Sequence, residues 1–247
     1  ILWTRLLPMT IYTVPPFSYL AVVLTLLGCS QKPGGLEPRV IWQSVQDSNV
    51  QQLTKCIEMD PSLVNAVDLT GNSLLYEAVG SLDIKVIKYL LVNGAKVNHR
   101  NQFGRTPLHR AADEDRQEVV RLLIDHGAEV NVRDCRGSTP LIAAAEFAGL
   151  SVLELLVESG ADVPSGNHYG RSALHNAAKR EDTIVAEYLI SQGAKLNQVC
   201  EYGTPLDLTA NCEVAELLRA AGGVTSRSKT IASRTHEQYL TGLPSER

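Results

Sequence analysis

Two histidines stand in nearly the same surroundings, Thr106-Pro-Leu-His109 and Ser172-Ala-Leu-His175, and imidazole is the usual general acid or base near neutral pH. Catalysis would need a second group to orient and tune each ring. No such pKa-tuning partner is in view for either ring, so a catalytic role is not the expectation. His99, His126 and His168 lie in turns and form no ligand cluster. The acidic run Asp113-Glu114-Asp115 could attract a cation, but one short run rarely closes a coordination shell and reads as a solvated loop between helices. None of the five cysteines, Cys29, Cys56, Cys135, Cys200 and Cys212, forms a C-x-x-C pair or has histidines at zinc spacing. There is no Gly-x-Ser-x-Gly, no phosphate-cradling glycine loop and no Cys/His nucleophile pattern. The sequence therefore points to a non-enzyme, with no metal and no cofactor.

The elements that carry these residues repeat. Gly71, Gly104, Gly137 and Gly170 are spaced by 33 residues, as are Gly94, Gly127, Gly160 and Gly193. Between them run Gly104-Arg-Thr-Pro-Leu-His-Arg-Ala-Ala112, Gly137-Ser-Thr-Pro-Leu-Ile-Ala-Ala-Ala145 and Gly170-Arg-Ser-Ala-Leu-His-Asn-Ala-Ala178. Thr106 suits an N-cap and Pro107 the first helical position, while Leu108, Ala111 and Ala112 form a thin apolar face. Val119, Val120, Leu122 and Leu123 would be the buried side of a second helix, closed by Gly127 as a left-handed C-cap. Trp42, Tyr76, Tyr89 and Tyr188 fall at helical positions and read as packing residues.

Period and motif together resemble the ankyrin-repeat family. The resemblance implies an all-α solenoid of about six helix-turn-helix repeats with hairpin loops, covering residues 37–223. Val64-Asn65 lies 33 residues before Val97-Asn98, which places a first repeat upstream without the full signature. At the other end Gly203-Thr-Pro-Leu-Asp207 restarts the motif, and the closer spacing of Thr204 to Gly222 than of Thr106 to Gly127 predicts a shortened inter-helix loop. Residues 224–247 are polar and aperiodic, and read as a flexible tail. Cys56 and Cys212 are expected to be buried thiols. Cys135 is expected at an exposed turn, with Cys200 in the matching place two repeats later and too far along the solenoid to bridge it.

Upstream, Tyr19 to Gly28 is an uncharged apolar run ending at Cys29. Leu26-Leu-Gly-Cys29 resembles the lipobox of bacterial lipoproteins. That resemblance implies a signal peptide over residues 1–28, an acylated Cys29, and a linker over 29–36 in which Pro33-Gly-Gly forms a leash. Ser30 in the following position implies the outer membrane, so the expected location is the periplasm. A start at Met9 would instead leave a cytosolic form.

Composition fits a folded, weakly acidic chain: 44% apolar residues, 20% charged, and a net charge of −4. That balance offers no concentrated basic surface for nucleic acid. The ankyrin family binds proteins through hairpin tips and first helices, and the matching positions here are Gln102, Phe103, Arg105, Arg136, His168, Tyr169, Arg171 and Tyr202 on the fingers. Asp113, Glu114, Glu146, Phe147, Lys179 and Arg180 complete the set on the palm. Exposed aromatics and arginines are the types enriched at binding hot spots. A lipid-anchored ankyrin module of this kind resembles bacterial immunity proteins that neutralise phospholipase-type effectors of type VI secretion systems. The partner would be the cognate toxin, held by a monomer as a heterodimer. A periplasmic scaffold or accessory factor for an envelope or stress-response enzyme, and a cytosolic adaptor of the effector, fit the same residues.

Overall fold

The computed structural model describes residues 38–81 and 83–227. The apolar leader, Cys29, the linker and the tail beyond residue 227 lie outside the described residues. Six helix pairs follow one another: α1 (Pro38–Gln46) and α2 (Val50–Met59), α3 (Leu74–Val79) and α4 (Ile84–Val92), α5 (Pro107–Asp113) and α6 (Gln117–Asp125), α7 (Pro140–Phe147) and α8 (Leu150–Glu158), α9 (Ala173–Lys179) and α10 (Thr183–Ser191), and α11 (Pro205–Leu208) and α12 (Cys212–Ala220). A 3-10 turn, Pro61–Asn65, follows α2. Strand pairing among the described residues is confined to isolated bridges such as Val67 with Ser73.

Each helix starts and stops for a local reason. Thr106 caps α5 with Pro107 at the first turn, and Ser172 caps α9. His109 and His175 complete both caps: their Nδ1 atoms accept from the backbone N–H of Thr106 at 3.2 Å and of Ser172 at 3.1 Å. Asp207 plays that part at Thr204, the start of α11. The glycines just past α4, α6, α8, α10 and α12 have φ between +83° and +98°, a conformation in which a Cβ is strained.

The paired alanines 111/112, 144/145 and 177/178 are fully buried, which lets α5, α7 and α9 approach closely. First helices touch their neighbours more extensively than second helices do. Asparagines lock the other end. Asn98 donates to Gly127 O at 2.9 Å and accepts from Glu129 N–H at 2.8 Å, and Asn65, Asn131 and Asn197 make the same pair of bonds one repeat before, one repeat after and three repeats after it. Pro164 occupies the corresponding place in the remaining step.

Five expectations change. Leu122 is half-buried rather than core, because the buried arc of α6 is narrow and is filled by Val119, Val120 and Leu123. Cys56 is buried as expected, but Cys212 is exposed at the first position of α12. Cys200 is buried and does not match Cys135; it stands 66 residues after Asp134, so it belongs to the turn's inner position, bridging Gly203. The last repeat is shortened in its first helix, not its loop: α11 has 4 residues where α5 has 7. The hydrogen-bonded fold also continues past Gly223, with Val224 N–H on Asn197 Oδ1 at 2.7 Å and Ser226 N–H on Asp207 Oδ2 at 2.8 Å.

Burial lowers the His109 pKa to about 4, and His175 is lowered for the same reason. A histidine held neutral in the fold protonates first in the unfolded chain, so its contribution is complete above about pH 6.5 and declines as the pH falls toward 4. Denaturant midpoints should therefore drop between pH 7 and pH 4.5, with His109 accounting for at most about 3 kcal/mol. His109→Gln should be less stable at neutral pH but show a shallower pH dependence; an unchanged slope would contradict this reading.

Candidate protein-binding face

Five hairpins project beside the first helices, and one residue in each of the first four fixes its shape. Asp68, Asn101, Asp134 and Asn167, spaced by 33, each accept the backbone N–H groups two and four residues on with a single side-chain oxygen; for Asn167 the acceptors' partners are Tyr169 and Arg171, both at 3.0 Å. Adjacent hairpins are joined edge to edge: Cys135 N–H donates to Phe103 O and His168 N–H to Arg136 O, each at 2.9 Å. Gly137 shows why a glycine closes the turn. Its φ is +76°, and a Cβ there would lie 2.5 Å from the His168 ring.

This frame presents Phe103, Tyr169 and Tyr202 at 62%, 55% and 65% exposure on the second, fourth and fifth hairpins, with Arg136 at the same position of the third. Phe147, at the end of α7, is equally exposed. Rigid support with a free ring is the arrangement that limits the entropy lost when a side chain is buried by a partner.

Other residues anticipated as contacts are engaged within the chain. Arg105 pairs with Asp113 across α5, and Arg110 pairs with Glu77 at 3.2 Å and Glu114 at 2.9 Å while lying over the Tyr76 ring. Burial outweighs the Arg105 bond at Asp113 and keeps that carboxyl above its ordinary range. Asp115, at φ +54°, accepts from Gly149 N–H at 3.0 Å. Glu114 and Asp115 are thus the exposed inter-helix connection expected from the sequence, and each acid of the run also carries a bond within the chain. Gln102 donates to Leu69 O at 2.8 Å, and Arg180 donates to Ala148 O at 2.7 Å and pairs with Asp182. The His168 ring rests on Gly137. Among the described residues, no group of three His, Cys, Asp or Glu is placed to hold a metal ion.

The second half of the face is different. Arg136, Glu146, Tyr169 and Arg171 converge with Asn176 and Glu201 on an open cavity of about 390 Å³ between the hairpins and the first helices. No carboxylate among the described residues lies within ion-pair distance of Arg136, Arg171 or Lys179. One end of the face is internally neutralised and the other is open.

A family model of three consecutive ankyrin repeats matches residues 41–134, 75–167 and 141–227. The chain belongs to the ankyrin-repeat family. The ankyrin repeat is a non-enzymatic binding scaffold, so the face described here belongs to a protein–protein interaction module.

Sequence reasoning missed the turn Asx residues and the asparagine ladder, although both carry the ankyrin period and could have been found by listing every polar position that recurs at 33. It also missed Asn176, which is 2% exposed and invisible to a search for surface contacts.

Internal pairing should be measurable. A double-mutant cycle on Arg105→Ala and Asp113→Ala should give a coupling of about 1 kcal/mol, since both side chains are mostly buried and the bond is charge-assisted. The same cycle on Arg171→Ala and Lys179→Ala should give none, or a small repulsion. Equal couplings at both sites would contradict the assignment.

Proposed function

We propose that this ankyrin module is a lipid-anchored envelope protein that binds a cognate toxic effector through the hairpin and first-helix face and blocks it sterically. The observation that carries protein binding is the row Phe103, Tyr169 and Tyr202, three exposed rings held on bonded hairpins beside unpaired arginines. The lipid anchor is supported by Leu26-Leu-Gly-Cys29, and the immunity role by the resemblance of such a lipobox followed by ankyrin repeats to immunity proteins of phospholipase-type effectors. In this reading the acyl group on Cys29 holds the module at the periplasmic side of the outer membrane, where a membrane-attacking enzyme would act, and the Pro33-Gly-Gly leash leaves the face free to turn. No catalytic step belongs to this chain; its effect is occlusion of the effector's active-site mouth.

A pull-down from detergent-solubilised envelopes with a C-terminally tagged chain should recover a lipase-like toxin in stoichiometric amount. Replacing Phe103, Tyr169 and Tyr202 together by alanine should weaken that complex by about 100-fold or more while shifting the stability of the free chain by about 1 kcal/mol or less. Full protection by the triple variant would exclude this face, and recovery of only housekeeping envelope proteins would favour a scaffold.

A further inference from the structure

Register within the repeat shows what is special about the open cavity. Arg105, Ser138 and Arg171 occupy one repeat position, and Asp113, Glu146 and Lys179 occupy another, each set spaced by 33. In the repeat of α5 the arginine meets the aspartate of its own repeat, and the pair closes on itself. In the repeat of α9 the arginine is retained and the acid is replaced by a lysine. Arg171 is left half-buried, and although its Nε lacks a partner just as that of Arg105 does, no carboxylate among the described residues lies within ion-pair distance of its guanidinium. A half-buried guanidinium without a counter-charge is costly, and the molecule shows at Arg105 how a carboxylate on the terminal Nη2 supplies one.

A second group at the same cavity is also incomplete. Asn176, 2% exposed on α9, donates through Nδ2 to Ile142 O at 2.8 Å, while its Oδ1 has no partner. Arg136 and Tyr169 bring further donors to the rim, and Glu146 and Glu201 balance the two arginines. A lining of two positive and two negative groups has no net charge to hold a dianion such as phosphate. It suits a single carboxylate that brings an amide or other donor with it, which describes an acidic residue within a polypeptide.

We propose that the cavity is a subsite for an aspartate or glutamate side chain of the partner protein, with Arg171 as its main anchor and Asn176 meeting the accompanying backbone N–H. This deepens the protein-binding reading and rests on it. The partner's carboxylate takes at Arg171 the place that Asp113 takes at Arg105. Lys179 stands where the other repeat has its internal acid. The same substitution that leaves Arg171 without a carboxylate in the free chain makes the site available.

The test uses the full chain in detergent, with nitrogen-labelled arginine, and follows the terminal Nη resonances of Arg171 and Arg105 during titration with the blocked peptide Ac-Gly-Asp-Gly-NH2. A saturable shift is expected at Arg171, about tenfold weaker or absent with Ac-Gly-Asn-Gly-NH2, and none is expected at Arg105, which Asp113 already occupies. Lys179→Asp restores the acid of the other repeat: its Arg171 resonance should move to the bound position without peptide and stop responding. Equal responses to the two peptides overturn the subsite, as does a stronger response to inorganic phosphate or to the free terminus of Ac-Gly-Gly-Gly. If Lys179→Asp fails to fold, the wild-type titrations decide alone. A partner captured equally by wild type and Lys179→Asp, with Arg171 silent to the aspartyl peptide, removes the subsite and leaves protein binding standing. A specific aspartyl response with no partner captured supports the subsite and counts against the effector reading.

Discussion

No single repeat of this chain can bury its own apolar face, and everything else in the structure follows from the bonds that hold one repeat to the next. The alanine pairs at 111/112, 144/145 and 177/178 bring the first helices together. His109 Nε2 reaches Ser138 O at 3.1 Å, 29 residues on, and His175 Nε2 reaches Gly203 O at 3.3 Å. The asparagines at 65, 98, 131 and 197 staple the opposite end of each unit. Since each of these bonds crosses a repeat boundary, losing one loosens two units, and the hairpins they support inherit the order of the stack.

A scaffold whose bonds are spent between repeats leaves function to the residues that make none. That division separates Arg105, Asp113, Glu114 and Arg180, which close on neighbours, from Phe103, Arg136, Tyr169 and Arg171, whose side chains do not. Residue type alone does not distinguish the two sets. Arg105 and Arg171 share a repeat position and a sequence neighbourhood, and the residue eight places later, Asp113 or Lys179, decides whether the guanidinium already has a carboxylate.

The repeat boundaries, the helix starts at Thr106 and Ser172 and the turn glycines were legible because each depends on local backbone chemistry that recurs at a fixed period. The structural role of His109 and His175 was legible for the same reason. Less legible were properties set across a repeat boundary. The exposure of Cys212, the half-burial of Leu122 and the placement of Cys200 depend on a one-residue register and on which arc of a helix faces the next repeat. The shortening of α11 could be seen as a missing length but not assigned to helix or loop without coordinates. At the face, every finger position could be named from the motif, while the engagement of Gln102 by Leu69 O and of Asn176 Nδ2 by Ile142 O could not, because both partners lie about one repeat away.

The central claim is that the aromatic hairpin and first-helix face, and not the second-helix row, meets the partner. The second helices carry exposed apolar side chains of their own, Val92 at 81% and Ile184 at 65%, and so provide controls of matching hydrophobicity. The direct measurement is photo-crosslinking in intact cells from a benzophenone side chain placed singly at Tyr169, Tyr202, Val92 and Ile184. The account predicts one discrete crosslinked protein from positions 169 and 202 and none from 92 and 184. The same product from 92 and 184, with silence at 169 and 202, would contradict it.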